Sequence, residues 1–443
     1  MQRTLLVVHR FRLQATAVIA RCWSRKPLTA ILSAGLLPVG ASAQTALTWD
    51  QVKDKFAAGN PTLKAAKANI DESRAAEITA YLRPNPDMSF SVDGTQLTPY
   101  LGVYRPFAGT QMSPGISYLH EREQKRELRR DQAKENTTIA ETTYLDQERN
   151  LVFTLRSAFV QVLQSKAILQ NAQDNLAYWD GEIDIQNNRL KAGDLAQVDF
   201  DRFVLQRVQF ESDYETALVN LRTAKITLLM LLNDRTPIEK LDVTGAFDFA
   251  EDLRALEDFR KVALEGRPDL KVAMQNVDLA KITHTLAVAN GSTDPTYSVW
   301  WTHNPSFNNI YDYNTIGASV SIPLRIFDRN QGEKARTQLD ISRNERLLDA
   351  GQAQIFNDVD SAYWTIVQNL NLLKPYKGKY LKLAMDIRDR VAFAYRNGGA
   401  SLLDFLDAEK SYRDTRLAYL NLIGSYLTAS AQMNMAVGRE ILQ

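Results

Sequence analysis

The sequence predicts a mainly α-helical fold with four short β-strands, arranged as two copies of one structural unit. Three observations carry this prediction. A glycine-containing motif recurs at a nearly constant offset, long runs lack helix-breaking residues, and short segments between these runs alternate apolar and polar residues. The first observation predicts a duplicated architecture, the second long helices, and the third strands.

The duplication is clearest around two glycines. Gly193 is followed six residues later by Asp199, and Gly398 is followed six residues later by Asp404. Gly193 and Gly398 are offset by 205 positions, as are Asp199 and Asp404. Further pairs with offsets of 207 to 209 are Gly59 with Gly266, Pro86 with Pro295, and Gly109 with Gly317. An offset that barely drifts indicates an internal repeat with a pseudo-symmetric fold.

Long helices follow from the distribution of glycine and proline. Residues 121–191 contain no proline and only Gly181, and residues 196–235 contain neither residue type. A helix over 121–191 would be about 100 Å long. Within the second run Leu221, Ala224 and Leu228 recur at the three- and four-residue spacing of a coiled-coil seam. Each glycine motif therefore marks the turn of a helical hairpin, near residue 193 and near residue 398.

Two strands are predicted in each copy, as strand pairs over residues 86–118 and 295–324. Met88, Phe90 and Val92 alternate with polar residues, as in a strand with two different faces. One interpretation is a membrane barrel wall with an aromatic girdle at the lipid interface; the alternative is a small soluble sheet that caps a helical bundle. The girdle residues would be Tyr100, Tyr104, Phe107, Trp300, Trp301, Tyr311 and Tyr313.

Residues 1–43 are typical of a secretory signal peptide. Six basic residues and no acidic residue precede or flank a short apolar stretch, which ends in Ala41-Ser42-Ala43. The alternative of a retained anchor is disfavoured because residues 28–40 are too few to cross a hydrocarbon core of about 30 Å. We expect cleavage before Gln44 and export of the mature chain.

The domain organisation follows from the repeat. The first structural repeat is expected over residues 44–235 and the second over residues 266–443. Residues 236–265 would be a linker that wraps the helices as part of an equatorial segment. Pro375 and Gly378 interrupt the long helix of the second repeat where this segment would meet it.

Composition and motifs exclude several function classes. Without the signal, 47 basic and 52 acidic residues remain, which argues against a nucleic-acid partner. Cys22 is the only cysteine and lies in the signal. The histidines His120, His284 and His303 do not have the spacing of metal ligands. Nucleotide-binding and nucleophile-elbow motifs are absent, so we expect no cofactor, no metal site and no enzymatic activity.

Residues 395–408 resemble a motif of the TolC-like outer-membrane efflux proteins. The segment reads YRNGGASLLDFLDA and is similar to the family pattern Y-x-x-G-x-x-x-x-x-D-V-L-D-A. The order of helices and strands resembles the family over essentially the whole mature chain. The resemblance implies a homotrimer, in which each chain gives four strands to a shared twelve-stranded β-barrel and the coiled-coil hairpins form a periplasmic α-helical tunnel.

The resemblance also implies a site. Asp404 and Asp407 would line the pore aperture as rings of carboxylates; the alternative is that they are solvated acids or a helix cap. The tip turns and the docking surface for an adaptor protein would include Gly193, Asp199, Gly398 and Gly399. Many relatives have arginine where this chain has Ala400, so either Arg396 substitutes for it or the closed tip is held differently.

The expected function is a passive exit duct of a tripartite efflux or type I secretion system, in a Gram-negative outer membrane. The implied partners are outer-membrane lipid, a periplasmic adaptor (membrane fusion) protein, and an inner-membrane pump of RND, ABC or MFS type. The alternative is a periplasmic coiled-coil adaptor, or a structural or adhesin-type helical protein with a soluble β cap. The sequence leaves the substrate open among drugs, metal ions, siderophores and proteins.

Overall fold

The computed structural model describes residues 46–99, 101–107, 109–304 and 313–442. The predicted signal, residues 1–43, lies outside the described residues. The first repeat contains two short helices, two strands and a helical hairpin. These elements are α1 (Trp49–Gly59), α2 (Pro61–Tyr81), β1 (Asp87–Asp93), β2 (Gln111–Leu119), α3 (Lys125–Ala192) and α4 (Gln197–Leu231).

The second repeat has the same plan. Its elements are α5 (Leu256–Gly266), α6 (Pro268–Asn290), β3 (Thr296–Asn304), β4 (Tyr313–Ser321), α7 (Gln331–Pro375), α8 (Leu381–Arg396) and α9 (Leu402–Val437). All but the last residue of helix α5 lies within residues 236–265, the predicted linker, and α5 is the counterpart of α1. We therefore propose that the second repeat starts at Leu256 rather than at residue 266.

Helix α3 has 68 residues and is about 100 Å long. It starts after Glu123 and Gln124, whose φ angles of 55° and 53° lie in the left-handed region and cannot continue a helix backwards. It ends at Gly193, which has φ 84°. The absence of internal breakers thus predicts the helix well, and the left-handed residues explain why it begins a few residues after residue 121.

The long helix of the second repeat is interrupted as predicted. Helix α7 ends at Pro375, a π-helical turn spans Tyr376–Tyr380, and α8 continues beyond it. In this turn Lys377 pairs with Asp248, with 3.1 Å between Lys377 Nζ and Asp248 Oδ2. The equatorial segment therefore contacts the second repeat at the interruption.

The four strands form one antiparallel sheet in the order β1-β2-β3-β4. The register pairs Ile116 with Val299 and Val299 with Ala318, so these side chains share one face. That face is largely apolar and exposed, whereas the other face carries mostly serine, threonine and glycine. Strand β4 ends at Ser321, so the predicted strand end at residue 324 is wrong; Pro323 cannot donate a ladder hydrogen bond.

The buried residues form three clusters. Two of them hold α1 and α5 against the long helices and include the fully buried residues Phe56 and Phe259. The third, here called the tip cluster, lies near the hairpin turns and joins α3, α4, α8 and α9; its buried members are Trp179, Phe203, Phe210, Ala392, Tyr395, Leu402 and Phe405. Among the residues described, no helix is both long and apolar enough to span a bilayer.

Candidate functional site at the hairpin tips

The two hairpins turn in the same way. Gly193 and Gly398 have φ angles of 84° and 75°, which glycine adopts without steric cost. In each turn the next N–H donates to a carbonyl five residues back: Asp194 to Arg189 at 2.9 Å, and Gly399 to Ala394 at 2.8 Å. The glycine N–H of each turn also donates to a carbonyl three residues back, Gly193 to Leu190 at 3.0 Å and Gly398 to Tyr395 at 3.1 Å. The two bonds of each turn together close the helix C-terminus as a Schellman motif. Gly399 occupies the position of Asp194 and has no left-handed φ. The backbone therefore requires glycine at Gly193 and Gly398 but not at Gly399.

Asp404 is part of a helix cap. The Ser401 hydroxyl accepts a hydrogen bond from the Asp404 N–H, and the Asp404 carboxylate accepts hydrogen bonds from the N–H and the hydroxyl of Ser401 at 3.0 and 2.7 Å. This reciprocal arrangement is a capping box. The hydrogen bonds from Ser401 hold the pKa of Asp404 below its usual range. The helix cap, which was the alternative role predicted for Asp404, is therefore present.

Asp407 lies one turn further along α9 and is exposed. Within the described part of the chain it makes neither an ion pair nor a hydrogen bond, so its carboxylate is free to face a pore or another subunit. Asp404 is exposed as well, despite its capping role. The spacing of three residues places both carboxylates on one side of the helix.

The first hairpin differs from the second at the same place. Helix α4 follows Ala196, which has no side-chain cap, whereas α9 follows Ser401. Asp199 is the counterpart of Asp404 and pairs with Arg202, with 3.4 Å between Arg202 Nη1 and Asp199 Oδ1. The acid of the first tip is thus held by a neighbour on its own helix.

The tip cluster is built on stacked aromatic rings. Trp179 of α3 lies fully buried between Phe210 of α4, with 4.9 Å between ring centroids, and Phe405 of α9, at 6.1 Å. Its indole N–H donates to the carbonyl of Phe203 at 3.0 Å. Tyr395 stacks on Phe405 at 5.3 Å. A buried aromatic group of this size fixes the two hairpins side by side.

Arg396 bonds to the neighbouring hairpin. Its guanidinium donates to the carboxylate of Glu182 on α3, whereas Asp199 pairs with Arg202. Substitution of Arg396 for the missing arginine in holding the closed tip stays a prediction. Ala400, in the place of the missing arginine, packs partly buried against the tip cluster.

Two buried glutamates are the feature that sequence reasoning missed. Glu182 of α3 and Glu409 of α9 are only 3% and 7% exposed. Burial raises the pKa of Glu409 to about 7, and the nearby Glu182 charge acts in the same direction. One signal was present in the sequence, since Tyr178, Glu182 and Gln186 recur every four residues and so share a face of α3.

The predicted girdle residues divide between the two sheet faces. Trp301 pairs with Ile316 and shares the apolar face, whereas Trp300 pairs with Gly317 on the polar face. The Trp300 ring occupies the space over Gly317, where a β-carbon would clash with it. Trp300 therefore cannot share a lipid-facing girdle with Trp301. Tyr104 and Phe107 are exposed, Tyr100 and Tyr311 lie outside the described residues, and nothing is described for the side chain of Tyr313.

The histidines are engaged in separate contacts. His284 Nδ1 lies 2.9 Å from the hydroxyl of Thr337, and His303 Nδ1 lies 3.1 Å from Asn314 Oδ1. His120 packs edge-on against Tyr297. No cluster of three potential metal-ligating side chains occurs in the described ranges.

The long paired hairpins and the sheet with one exposed apolar face define a class of protein: a channel subunit with a helical conduit and a membrane-embedded end. Comparison with known families agrees. The family model for outer membrane efflux proteins matches residues 53–234 and 260–439. The chain belongs to this outer membrane efflux protein family, and it is an efflux channel protein of the outer membrane. Members of the family are channels rather than enzymes.

Individual relatives cover nearly the whole chain. The cobalt-zinc-cadmium resistance protein CzcC of Cupriavidus metallidurans is 23% identical over 402 residues, which are 89% of this chain and 90% of the relative. The CusC structure superposes with a TM-score of 0.74 at 17% identity, covering 88% of this chain and 92% of that one. VceC of Vibrio cholerae gives 0.71 at 13% identity, with coverage of 89% and 97%. The adaptor and adhesin alternatives are thereby excluded.

Proposed function

We propose that three copies of this chain form the exit duct of a tripartite efflux complex. A periplasmic adaptor would bind the hairpin tips, and an inner-membrane pump would supply the energy. The observation that carries this proposal is the open sheet. Strands β1 and β4 each pair on one edge only among the described strands, although the sheet has an exposed apolar face.

An open sheet edge is not tolerated in lipid. Unpaired N–H and C=O groups in hydrocarbon cost several kcal/mol each, so membrane sheets close on themselves. Four strands are too few to do so, and the first and last strands of this sheet offer complementary antiparallel edges. Pairing β4 of one copy with β1 of the next closes a twelve-stranded barrel from three copies. This arrangement explains the apolar face, which would contact outer-membrane lipid.

The acidic tip is the proposed aperture. Asp407 and Asp404 are exposed on one side of α9, so a trimer would bring three copies of each near its axis. Rings of carboxylates favour cations over anions. The turns at Gly193 and Gly398, with the adjoining Asp199 and Gly399, would contact the adaptor, because they are the outermost part of the two hairpins.

We further propose divalent transition-metal ions as the transported class. The support is the similarity to CzcC over nine-tenths of both chains, together with the cation-attracting tip. The substrate class is tested by growing a strain that lacks the protein in medium containing zinc, cobalt or cadmium. Loss of tolerance to these metals alone would support it, and loss of tolerance to organic compounds alone would contradict it.

Conductance in a planar bilayer tests the duct and its aperture. The purified trimer should form cation-selective channels that a trivalent cation blocks from the tip side. The double variant Asp404→Ala/Asp407→Ala should lose that block. The matched control is Asp54→Ala/Glu72→Ala, which removes two exposed acids from α1 and α2. Absence of channels from a folded trimer would refute the duct, and block that persists in the double variant would refute the aperture.

A further inference from the structure

A polar layer lies between the two hairpins, next to the tip cluster. On α3 it consists of Tyr178, Glu182 and Gln186, and on α9 of Glu409. Gln186 is fully buried, and both glutamates are more than nine-tenths buried. The Tyr178 hydroxyl and the Glu409 carboxyl lie close enough to shift each other's pKa, and the layer is part of the packing of α3 against α9.

Three atoms of this layer have no hydrogen-bond partner among the described residues: Glu182 Oε2, Glu409 Oε1 and Gln186 Nε2. The hydroxyl of Tyr395, in the adjoining tip cluster, is also without a partner among them. A buried carboxylate without a full set of partners is strongly disfavoured in its charged form. Two such groups in one layer therefore cannot both be charged without destabilising the contact between the helices.

The surrounding charges do not compensate both acids. The groups that face Glu409 are Tyr178 and Glu182 from α3, and Arg388 and Asp389 from α8. Arg388 already binds Asp389, with 2.7 Å between Arg388 Nη2 and Asp389 Oδ1.

The second nearby arginine is committed as well, since Arg396 binds Glu182. The layer thus contains two arginines and three carboxyl groups, and Glu409 is the acid without a cation of its own. On the helix of Glu409 itself, Arg413 lies 3.4 Å from Asp213 of α4, and Lys410 is exposed to solvent outside the buried layer.

We propose that Glu409 binds a proton at neutral pH, and that this proton keeps α9 packed against α3 near the hairpin tips. The protonated side chain is neutral and fits the buried layer. Loss of the proton places a second negative charge beside Glu182 and loosens the contact between the hairpins. The pair thus acts as a pH-sensitive latch at the tip, a role separate from the exposed acids Asp404 and Asp407.

The direction of the effect follows from the pKa of Glu409. Burial and the Glu182 charge raise this pKa to about 7, while the nearby Tyr178 hydroxyl and the charge of Arg388 oppose the shift. A carboxyl group with a raised folded-state pKa stabilises the folded contact most at low pH. That contribution is lost as the pH rises from the unfolded value, near 4.5, through about 7. The latch therefore opens on the alkaline side.

Distance measurements between two spin labels test the latch without reference to transport. Labels are placed at Asn188→Cys on α3 and Leu403→Cys on α9, both exposed positions, in a Cys22→Ser background of the full-length trimer. We expect the distance distribution to broaden and lengthen as the pH rises from 5.5 to 8.5, with a midpoint near 7. The variant Glu409→Gln should retain the short distance throughout, and the control Asp54→Asn, which changes an exposed acid of α1 outside the tip, should give the same transition as the unsubstituted protein.

A second variant, Glu182→Gln, tests the latch independently in case Glu409→Gln fails to fold. Replacing Glu182 by glutamine removes the like charge, so the midpoint should move to lower pH. A purely structural role of Glu182 would leave the midpoint unchanged. The latch is overturned if the unsubstituted trimer shows no transition, if the same transition persists in Glu409→Gln, or if the Glu182→Gln midpoint stays where it was. Because the measured quantity is a distance, the test of the latch does not depend on whether the channel conducts metal ions.

Discussion

Arg396, the last residue of α8, donates a hydrogen bond to the carboxylate of Glu182 on α3. The bond joins the two hairpins of one chain just beside the stacked rings of Trp179 and Phe405. Glu182 is buried, whereas Arg396 is about two-fifths exposed. Arg396, at the edge of the tip cluster, thus compensates the charge of the buried Glu182 carboxylate.

Removal of Arg396 should destabilise the chain measurably. In Arg396→Ala the Glu182 carboxylate stays buried without its cation, and breaking a buried pair in this way costs about 3 to 5 kcal/mol. Since Arg396 is partly exposed, we expect about 2 kcal/mol, measured as the free energy of unfolding in denaturant. The control is Arg202→Ala, which breaks the exposed pair with Asp199 and should change the free energy by less than about 0.5 kcal/mol. Equal effects of the two substitutions would contradict the anchoring role.

The sequence predicts the helices and strands because their signals are local. The run of residues that forms α3 has no glycine except Gly181 and no proline over a length that only a helix reaches. The alternation of apolar and polar residues around Phe90 is typical of a strand. The buried Glu409 has no such signal. A glutamate such as Glu409, beside Lys410 on a long helix, has the pattern of a solvated face. Only the packing of α9 against α3 buries it.

Asp404 shows why a motif can predict a position but not its whole role. The family pattern identifies the residue, but the preceding Ser401 makes it a capping residue as well. The division between Trp300 and Trp301 was readable in principle, since adjacent strand residues point to opposite faces.

The caps of α4 and α9 offer a reciprocal experiment. Ser401→Ala should lower the free energy of unfolding by about 1 kcal/mol, because the N-cap hydrogen bonds of α9 are lost. Ala196→Ser should raise it by a similar amount, since Ala196 has nearly the same extended backbone as Ser401, with φ −72° and ψ 144°, and Asp199 occupies the required third position. A change of sign in either variant, measured by denaturant unfolding, would contradict this account of the caps.

The adjacent glycines of the second turn, Gly398 and Gly399, should differ in how well they tolerate substitution by alanine. Gly398→Ala places a β-carbon at φ 75°, which costs about 1 to 2 kcal/mol in the left-handed region. Gly399→Ala has no such strain, and its β-carbon would meet the Ala394 carbonyl oxygen at an ordinary 3.6 Å. We expect a lowered thermal midpoint for the first variant and little change for the second. If Gly399→Ala were the more damaging one, an intersubunit or adaptor contact at Gly399 would be the cause.

The two faces of β4 can be distinguished by placing the same charge on neighbouring residues. Ile316 lies on the apolar face and pairs with Trp301, whereas Thr315 lies on the polar face and pairs with Thr302. In a barrel with the apolar face towards lipid, Ile316→Arg costs about 2 to 4 kcal/mol near the middle of the bilayer, and Thr315→Arg costs far less because it faces the water-filled lumen.

The measurement is the amount of folded trimer recovered from outer membranes. We expect a strong loss for Ile316→Arg and near-normal recovery for Thr315→Arg. The reverse order would mean that the serine- and threonine-rich face is the one turned towards lipid, and equal recovery would place the sheet outside the membrane.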